Sequence, residues 1–490
     1  MFRLLIEKEL KHIILGPKFT ATFLVCSILI LLSVFVGIRD YQAAVRQHDA
    51  AVQLQKQELD ERHTWAYLRT RVYRKPDPMQ IFVSGISNDI GRLSVIGSTE
   101  TVRLRSSIYS EDTVFAFFRT MDLMFIVQVV LSLFAILFTF NTVNGERENG
   151  TLQLTFANPV SRVRYILAKF AGSWLGLVVP LTVPVLLGLL LLQVFGVPMT
   201  AVLWAKLSAF LGVSLLYFTF FIGLGVFVSS CTRHASLSFL VLLVIWVTAV
   251  LIVPRAGLMT AGKIMPVPSA AEVEGRIDGY SKTRWDTHIR ELGKVWQRRS
   301  AEMENMDADE RKAYRERKEW EWMEEEDQYR KKVQTDIREY SDRIYEDLEN
   351  RKQSQKQLAF GLSRFSPSSC YQLAAMNLAG TDVGLETRSR TDMSRYQQDF
   401  VDLADRMNRE TGGHGGGIRI SIDTDTGIHV ETPDQDKTID TSLIPRFQGT
   451  VQPFEKALKG ALLDSMLLFL FTAGALAAGF FCFMRYDIRQ

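Results

Sequence analysis

Six apolar runs constrain this chain more than anything else in it. They lie at Phe19 to Ile38, Leu123 to Thr142, Gly172 to Phe195, Ala201 to Val228, Ala235 to Val253 and Leu462 to Met484. Each is close to the roughly 20 residues that a helix needs to cross a bilayer. The 47% hydrophobic and 23% charged residues are therefore two populations, with the charges gathered in the segments between the runs. The pattern predicts a mainly α membrane protein: six transmembrane helices, an amphipathic N-terminal helix, and a helical domain with some β structure outside the membrane. A formal net charge of +3, with basic residues interleaved among acidic ones, excludes the basic field of a nucleic-acid binder.

Orientation follows from the short connections, because long ones cross regardless of charge. The N-terminal segment (Arg3, Lys8, Lys11), residues 143–170, the loop with Arg233 and His234, and the tail with Arg485 and Arg489 are basic; the connection Gly196 to Val202 carries no charge. Both termini are thus expected in the cytoplasm of a plasma (inner) membrane. The expected segments are a cytoplasmic interfacial helix at 1–18, span one at 19–38, an extracytoplasmic segment at 39–122 and span two at 123–142. A cytoplasmic segment at 143–170, spans three to five within 171–253, a large extracytoplasmic domain at 254–460, span six at 461–484 and a tail at 485–490 complete the chain. Cys26 and Cys482 fall in apolar runs, Cys231 in an inner loop and Cys370 alone outside, which predicts no intrachain disulfide.

Residues 1–18 place Phe2, Leu5, Ile6, Leu10, Ile13 and Ile14 at helical spacing and stop at Gly16-Pro17, as an interfacial helix does. A signal peptide is the competing reading, given the basic start and Ala43-Ala44. The length of the apolar run and the patterning of the leader favour an uncleaved anchor.

Beyond span one, residues 39–75 lack Gly and Pro and are expected to extend the helix into water until Pro76. Residues 80–97, β-branched and punctuated by glycine, are expected to form strands or a turn-rich packing region. In the larger outer segment, Ala270 to about Arg364 reads as helical with a break near Asn305 to Asp309, where Asp307 can cap a new helix. After it, Val333, Ile337, Tyr340, Ile344 and Leu348 recur at intervals of three and four. That is a seam for a coiled-coil hairpin or a partner helix, or a solvated helix pair packed on its own domain. Trp296, Trp320 and Trp322 argue against a bare solvated rod. Ser363 to Asp382 is expected near the outer surface, Thr391 to Arg409 as a helix, and Ile418 to Val430 as a hairpin after the glycine run 412–417.

Between spans two and three runs NTVNGERENGTLQLTFANPVSRVRYILAKF, Asn141 to Phe170. Held between two spans, this polar stretch must face water beside the membrane. It reads as a short helix lying on the surface, stopped at Asn158-Pro159 and followed by Ser161, Arg162, Arg164 and Lys169. The acidic-Arg-acidic triplet, Asn-Gly-Thr-Leu, Asn-Pro-Val-Ser-Arg and the lysine leading into the next span resemble the cytoplasmic coupling segment of type-2 ABC exporter permeases. The resemblance is to members with large insertions outside the membrane. Phe118 to Asn141 resembles the preceding span, with an acidic residue just before it.

That resemblance implies a permease subunit paired with a second, identical or related one, and two separate ATPase subunits that bind ATP and Mg. It implies that Glu146, Arg147, Glu148, Gly150, Thr151, Leu152, Pro159 and Arg162 couple to the ATPase, where the residues alone require only headgroup anchoring. No phosphate loop ending in Gly-Lys-Ser/Thr occurs, so this chain is expected to be non-catalytic and to hold no cofactor or metal itself; His414 is one isolated ligand. Asp122, Lys206 and Asp464 lie near span ends and are expected to snorkel to the headgroups. The function implied is ATP-driven export. The competing one is transmission of ATP-driven motion to an extracytoplasmic protein partner without moving cargo through the membrane part. A third is a scaffold without an ATPase.

Overall fold

The computed structural model describes residues 2–63, 65, 68–97, 100, 102–106, 121–304, 306–410, 419–423, 427–431, 439–449 and 451–485. The glycine run 412–417, His414, Ile418, Arg489 and the side chain of Trp320 lie outside what it describes. It is mainly helical, with two small two-stranded sheets. Among the described residues six helices are long and apolar enough to cross a membrane: Pro17–Asp60, Leu123–Glu148, Arg162–Val194, Ala201–Cys231, Ala235–Ile264 and Phe454–Met484. The chain forms two compact units, one of Met1–Ile252 with Ser366–Gln490, the other of Val253–Phe365.

In the first unit, spans two and four are the most enclosed, while spans one, three, five and six keep more of their apolar surface exposed. Close approach is set by small residues. A Cβ on Gly225 would lie 1.8 Å from Thr139 Oγ1, so spans two and four touch there backbone to side chain. Span two contains a π-helical turn, Ile126–Leu131. Such a turn loosens the regular carbonyl pairing, and Gln128 O accepts from Tyr217 OH at 3.0 Å and Ser132 Oγ at 2.6 Å. Trp246 Nε1 donates to Ser132 Oγ at 2.8 Å, so a buried polar chain ties spans two, four and five.

Several expectations are revised here. Helix Pro367–Ala379 lies buried among the spans and not at the outer surface. Its Ser369, Cys370, Ala374, Ala375 and Ala379 let it in, and Tyr371 stacks on Tyr217 at 4.6 Å. Cys231 and Cys482 form a disulfide, with Cα atoms 6.1 Å apart. The apolar run of span six ends beside the end of span four, where Gly479 packs directly on Phe227. Asp122, Lys206 and Asp464 do not snorkel: all three are buried. Asp122 accepts from Phe125 N, Ser84 N and Ser84 Oγ, each at 2.8 Å, as a cap on span two.

Helix α2 (Pro17–Asp60) ends well before Pro76. Strand β1 (Thr70–Tyr73) takes up the chain beyond it, paired antiparallel to β2 (Leu93–Ile96). Val72 and Ile96 join Leu59, Trp65 and Leu68 in a cluster that also takes Met393, Tyr396 and Phe400 from helix Leu385–Glu410. Burial of that alternating face outweighs the helix propensity of the polar sequence. The later hairpin forms as expected, with β3 (Arg419–Asp423) paired to β4 (Gly427–Glu431) and Ile422 opposite Ile428.

The second unit is a helical hairpin, Ala270–Glu302 and Ala308–Ser363, with Val253–Ile264 packed on the longer arm. Asp307 caps the second arm, accepting from Asp309 N and Glu310 N. Tyr280 stacks on Tyr340 at 4.0 Å, Arg284 pairs with Asp336, and Arg299 bridges Glu325 and Glu326 while lying over the Trp322 ring. Val333 and Leu348 are buried, Ile337, Tyr340 and Ile344 half-buried, and Trp296 remains exposed.

Candidate functional site

The 143–170 connection folds as two short helices, Asn144–Glu148 and Thr151–Phe156, joined through Asn149 and Gly150. Gly150 has φ 71°, a left-handed conformation natural to glycine. Ser161 then caps Arg162–Val194, accepting from Arg164 N. The first helix is pinned from behind. Ser229 Oγ accepts from Val143 N and donates to Asn144 Oδ1, while Asn144 Nδ2 reaches Thr232 Oγ1 at 3.0 Å. Beneath the second helix, Leu152 is buried with Val143, Tyr165, Ile166, Val226 and Phe483.

Three elements converge on one ion network. Lys169 Nζ lies 2.5 Å from Glu9 Oε2 and 3.0 Å from Glu146 Oε1, with side-chain exposures of 8%, 6% and 13%. Glu146 also accepts from Lys8 Nζ at 2.8 Å and from Tyr165 OH at 2.6 Å. Gly172 makes room for it: a Cβ there would stand 2.6 Å from that of Glu9. The N-terminal helix α1 (Phe2–Ile14), the connection and span three are thereby locked together by charge-assisted bonds in a weakly solvated place, where such bonds are strong.

The residues expected at the coupling site are brought together in one region but face different ways. Glu146 and Leu152 point inward. Glu148 is half in solvent, accepting from Ala235 N at 3.0 Å, and Arg162 donates to Met484 O at 2.7 Å. Arg147 is half-buried, Thr151 Oγ1 donates to Glu146 O, and Gly150 and Pro159 are exposed. The free surface is Gln153, Leu154, Ala157, Asn158 and Pro159, with Leu154 70% exposed. Sequence reasoning passed over Glu9 and Tyr165. The signal was there for Glu9: three residues after Ile6 and four before Ile13, it stands on the apolar stripe of α1, where an acid needs a partner.

A family profile described as ABC-2 family transporter protein matches residues 3–382, covering α1, the connection, the first five spans and the hairpin. No individual curated protein matches the chain. With six candidate spans and that match, this chain belongs to the ABC-2 family of transporter membrane proteins.

Proposed function

We propose that the chain is the permease subunit of an ABC exporter. Two such subunits, identical or related, pair in the plasma membrane with both termini in the cytoplasm, and separate ATPase subunits that bind ATP and Mg dock on the 143–170 connection. The observation that carries this reading is the combination of a locked base and a free ridge. Lys169 fastens the connection to α1 and span three, while Leu154 stands out with no fold to serve. A ridge on a rigid mount transmits rigid-body motion when ATP closes the ATPase pair. In this reading Glu146 and Leu152 hold the ridge, while Glu148, Leu154 and Pro159 meet the ATPase.

Co-purification with the ATPase expressed alongside it tests this. Leu154→Asp, at an exposed position, should leave thermal unfolding unchanged and lose the ATPase. Retention of the ATPase by that variant would remove the connection from the interface.

The long hairpin favours a second reading, in which the motion drives an extracytoplasmic protein and no cargo crosses. Its second arm of 56 residues is ~84 Å long at 1.5 Å per residue, far more than a pore requires. ATP-driven uptake of an amphiphile into inverted vesicles holding only permease and ATPase would sink it.

A further inference from the structure

Cys231 closes span four, Cys482 lies two residues before the end of span six, and a disulfide joins them across 251 residues of chain. In the orientation of the proposed function, on which the inference rests, both span ends face the cytoplasm. Disulfides in that compartment are transient or redox-sensing far more often than structural, because glutathione and thioredoxin keep thiols reduced. Cys231 is exposed and Cys482 half-buried, so a reagent in water reaches the pair, whereas Cys26 and Cys370 are buried and free.

Each cysteine of the pair sits among the residues that hold the 143–170 connection. Ser229 and Thr232, on either side of Cys231, bind Asn144 at the start of the first short helix. Phe483, next to Cys482, meets Phe156 of the second short helix at 6.2 Å and stacks on Tyr165 at 5.1 Å. Tyr165 in turn donates to Glu146, and Met484 O accepts from Arg162 at the start of span three. Span four therefore grips one short helix and span six supports the other. The sulfur bridge is the covalent tie between these two grips.

We propose that Cys231 and Cys482 form a reversible thiol–disulfide switch that tightens the mount of the connection when the cytoplasm turns oxidising. A hydroperoxide is the oxidant. One thiol sulfur attacks its O–O bond, giving a sulfenic acid and an alcohol, or water where the oxidant is hydrogen peroxide. The second thiol displaces the sulfenic oxygen as water and closes the S–S bond, so two thiols lose two electrons and one O–O bond is reduced. A dithiol returns the pair to thiols through a mixed disulfide and is itself oxidised to a disulfide. In the oxidised state, the one seen in this structure, the ends of spans four and six move as one body beneath the connection. In the reduced state only packing and hydrogen bonds hold them. A firmer mount passes on more of the ATPase motion, so oxidation is expected to raise coupling.

The test uses the full chain, first in its own membrane and then in nanodiscs with the ATPase. Thiols are trapped by alkylation in cells before and after hydrogen peroxide, and peptides are mapped without reductant. A linked Cys231–Cys482 peptide is expected only after peroxide, and dithiothreitol should remove it. Hydrogen exchange in residues 144–156 should be several-fold slower in the oxidised chain than in the reduced one, with faster ATP hydrolysis. Cys231→Ser, a conservative change at an exposed position, should exchange like the reduced wild type and respond to neither reagent. A link already complete in untreated cells, no link after peroxide, equal exchange in both states, or a response kept by Cys231→Ser overturns the proposal. Linkage and exchange need no ATPase, so a chain that binds no ATPase in either state counts against the permease reading alone.

Discussion

Replacing Lys169 by Met tests whether the network at the base of the spans is what holds α1 and the connection in place. The change keeps length and apolar bulk and removes one cation from between two carboxylates. Breaking a buried pair from one side costs ~3–5 kcal/mol, because the abandoned charge stays buried. Glu146 keeps Lys8 and Tyr165, so most of that cost falls on Glu9. Adding Glu9→Gln removes the stranded charge. The double variant should recover most of the loss and fall within about 1 kcal/mol of wild type, since a buried pair exchanged for neutral groups is close to break-even. Lys8→Met is the control on the same carboxylate. Its side chain is 52% exposed, and solvent screening limits its contribution to under ~1 kcal/mol. Thermal unfolding in detergent gives the order. Lys169→Met alone should melt several degrees below the other three proteins. If it melts with wild type, or if the double variant melts below the single one, the network is not what fixes this end of the molecule.

Lys206 makes the opposite case: it is buried at 0% exposure and its Nζ has no hydrogen-bond partner among the described residues. Lys206→Met is therefore expected to raise thermal stability, by ~1–3 kcal/mol, and a fall in Tm would show that the amine is engaged. Gly172→Val puts a side chain where Glu9 packs; it should detach α1 from span three and raise hydrogen exchange in residues 2–14, while unchanged exchange would refute the packing argument. Alkaline pH addresses the cluster around β1, β2 and helix Leu385–Glu410, where burial pushes the Tyr396 phenol up to about 12 from 10. The folded state keeps that proton while the unfolded chain loses it, so stability present below pH 10 falls by about 2–3 kcal/mol as pH rises through 12. Tyr396→Phe should flatten that limb of the pH profile, and a profile unaltered by the change rejects the assignment.

Elements set by local periodicity were legible in the chain itself. The six runs, the stop at Gly16-Pro17, the Asp307 cap and the hairpin around Gly427 need only neighbours in sequence to form. Features that escaped depend on partners far along the chain. Strand β1 reads as helix because Thr70 and Val72 are strand residues only once β2 and helix Leu385–Glu410 bury one face. Helix Pro367–Ala379, too short to span, gave no sign by length that its small residues pack among the spans. The disulfide escaped because topology predicts on which side a cysteine lies, not which helices touch there.

The charged triplet at Glu146 to Glu148 shows the same division inside the site. Read along the chain, Glu146, Arg147 and Glu148 are one polar patch offered to water. In three dimensions their roles separate within a single helical turn: Glu146 turns in to Lys169, and Glu148 turns aside to the start of span five at Ala235. Under the proposed function Glu146 therefore belongs to the mount, while the exposed positions offered to the ATPase are Glu148 before Gly150 and Leu154 and Pro159 beyond it. Asn149 and Gly150 separate the two short helices, and past the left-handed turn at Gly150 Leu154 is exposed while Leu152 stays in the core. In that reading the segment thus combines an anchor, Glu146 and Leu152, whose loss is expected to cost stability, with a contact surface, Glu148, Leu154 and Pro159, whose loss is expected to cost only the partner.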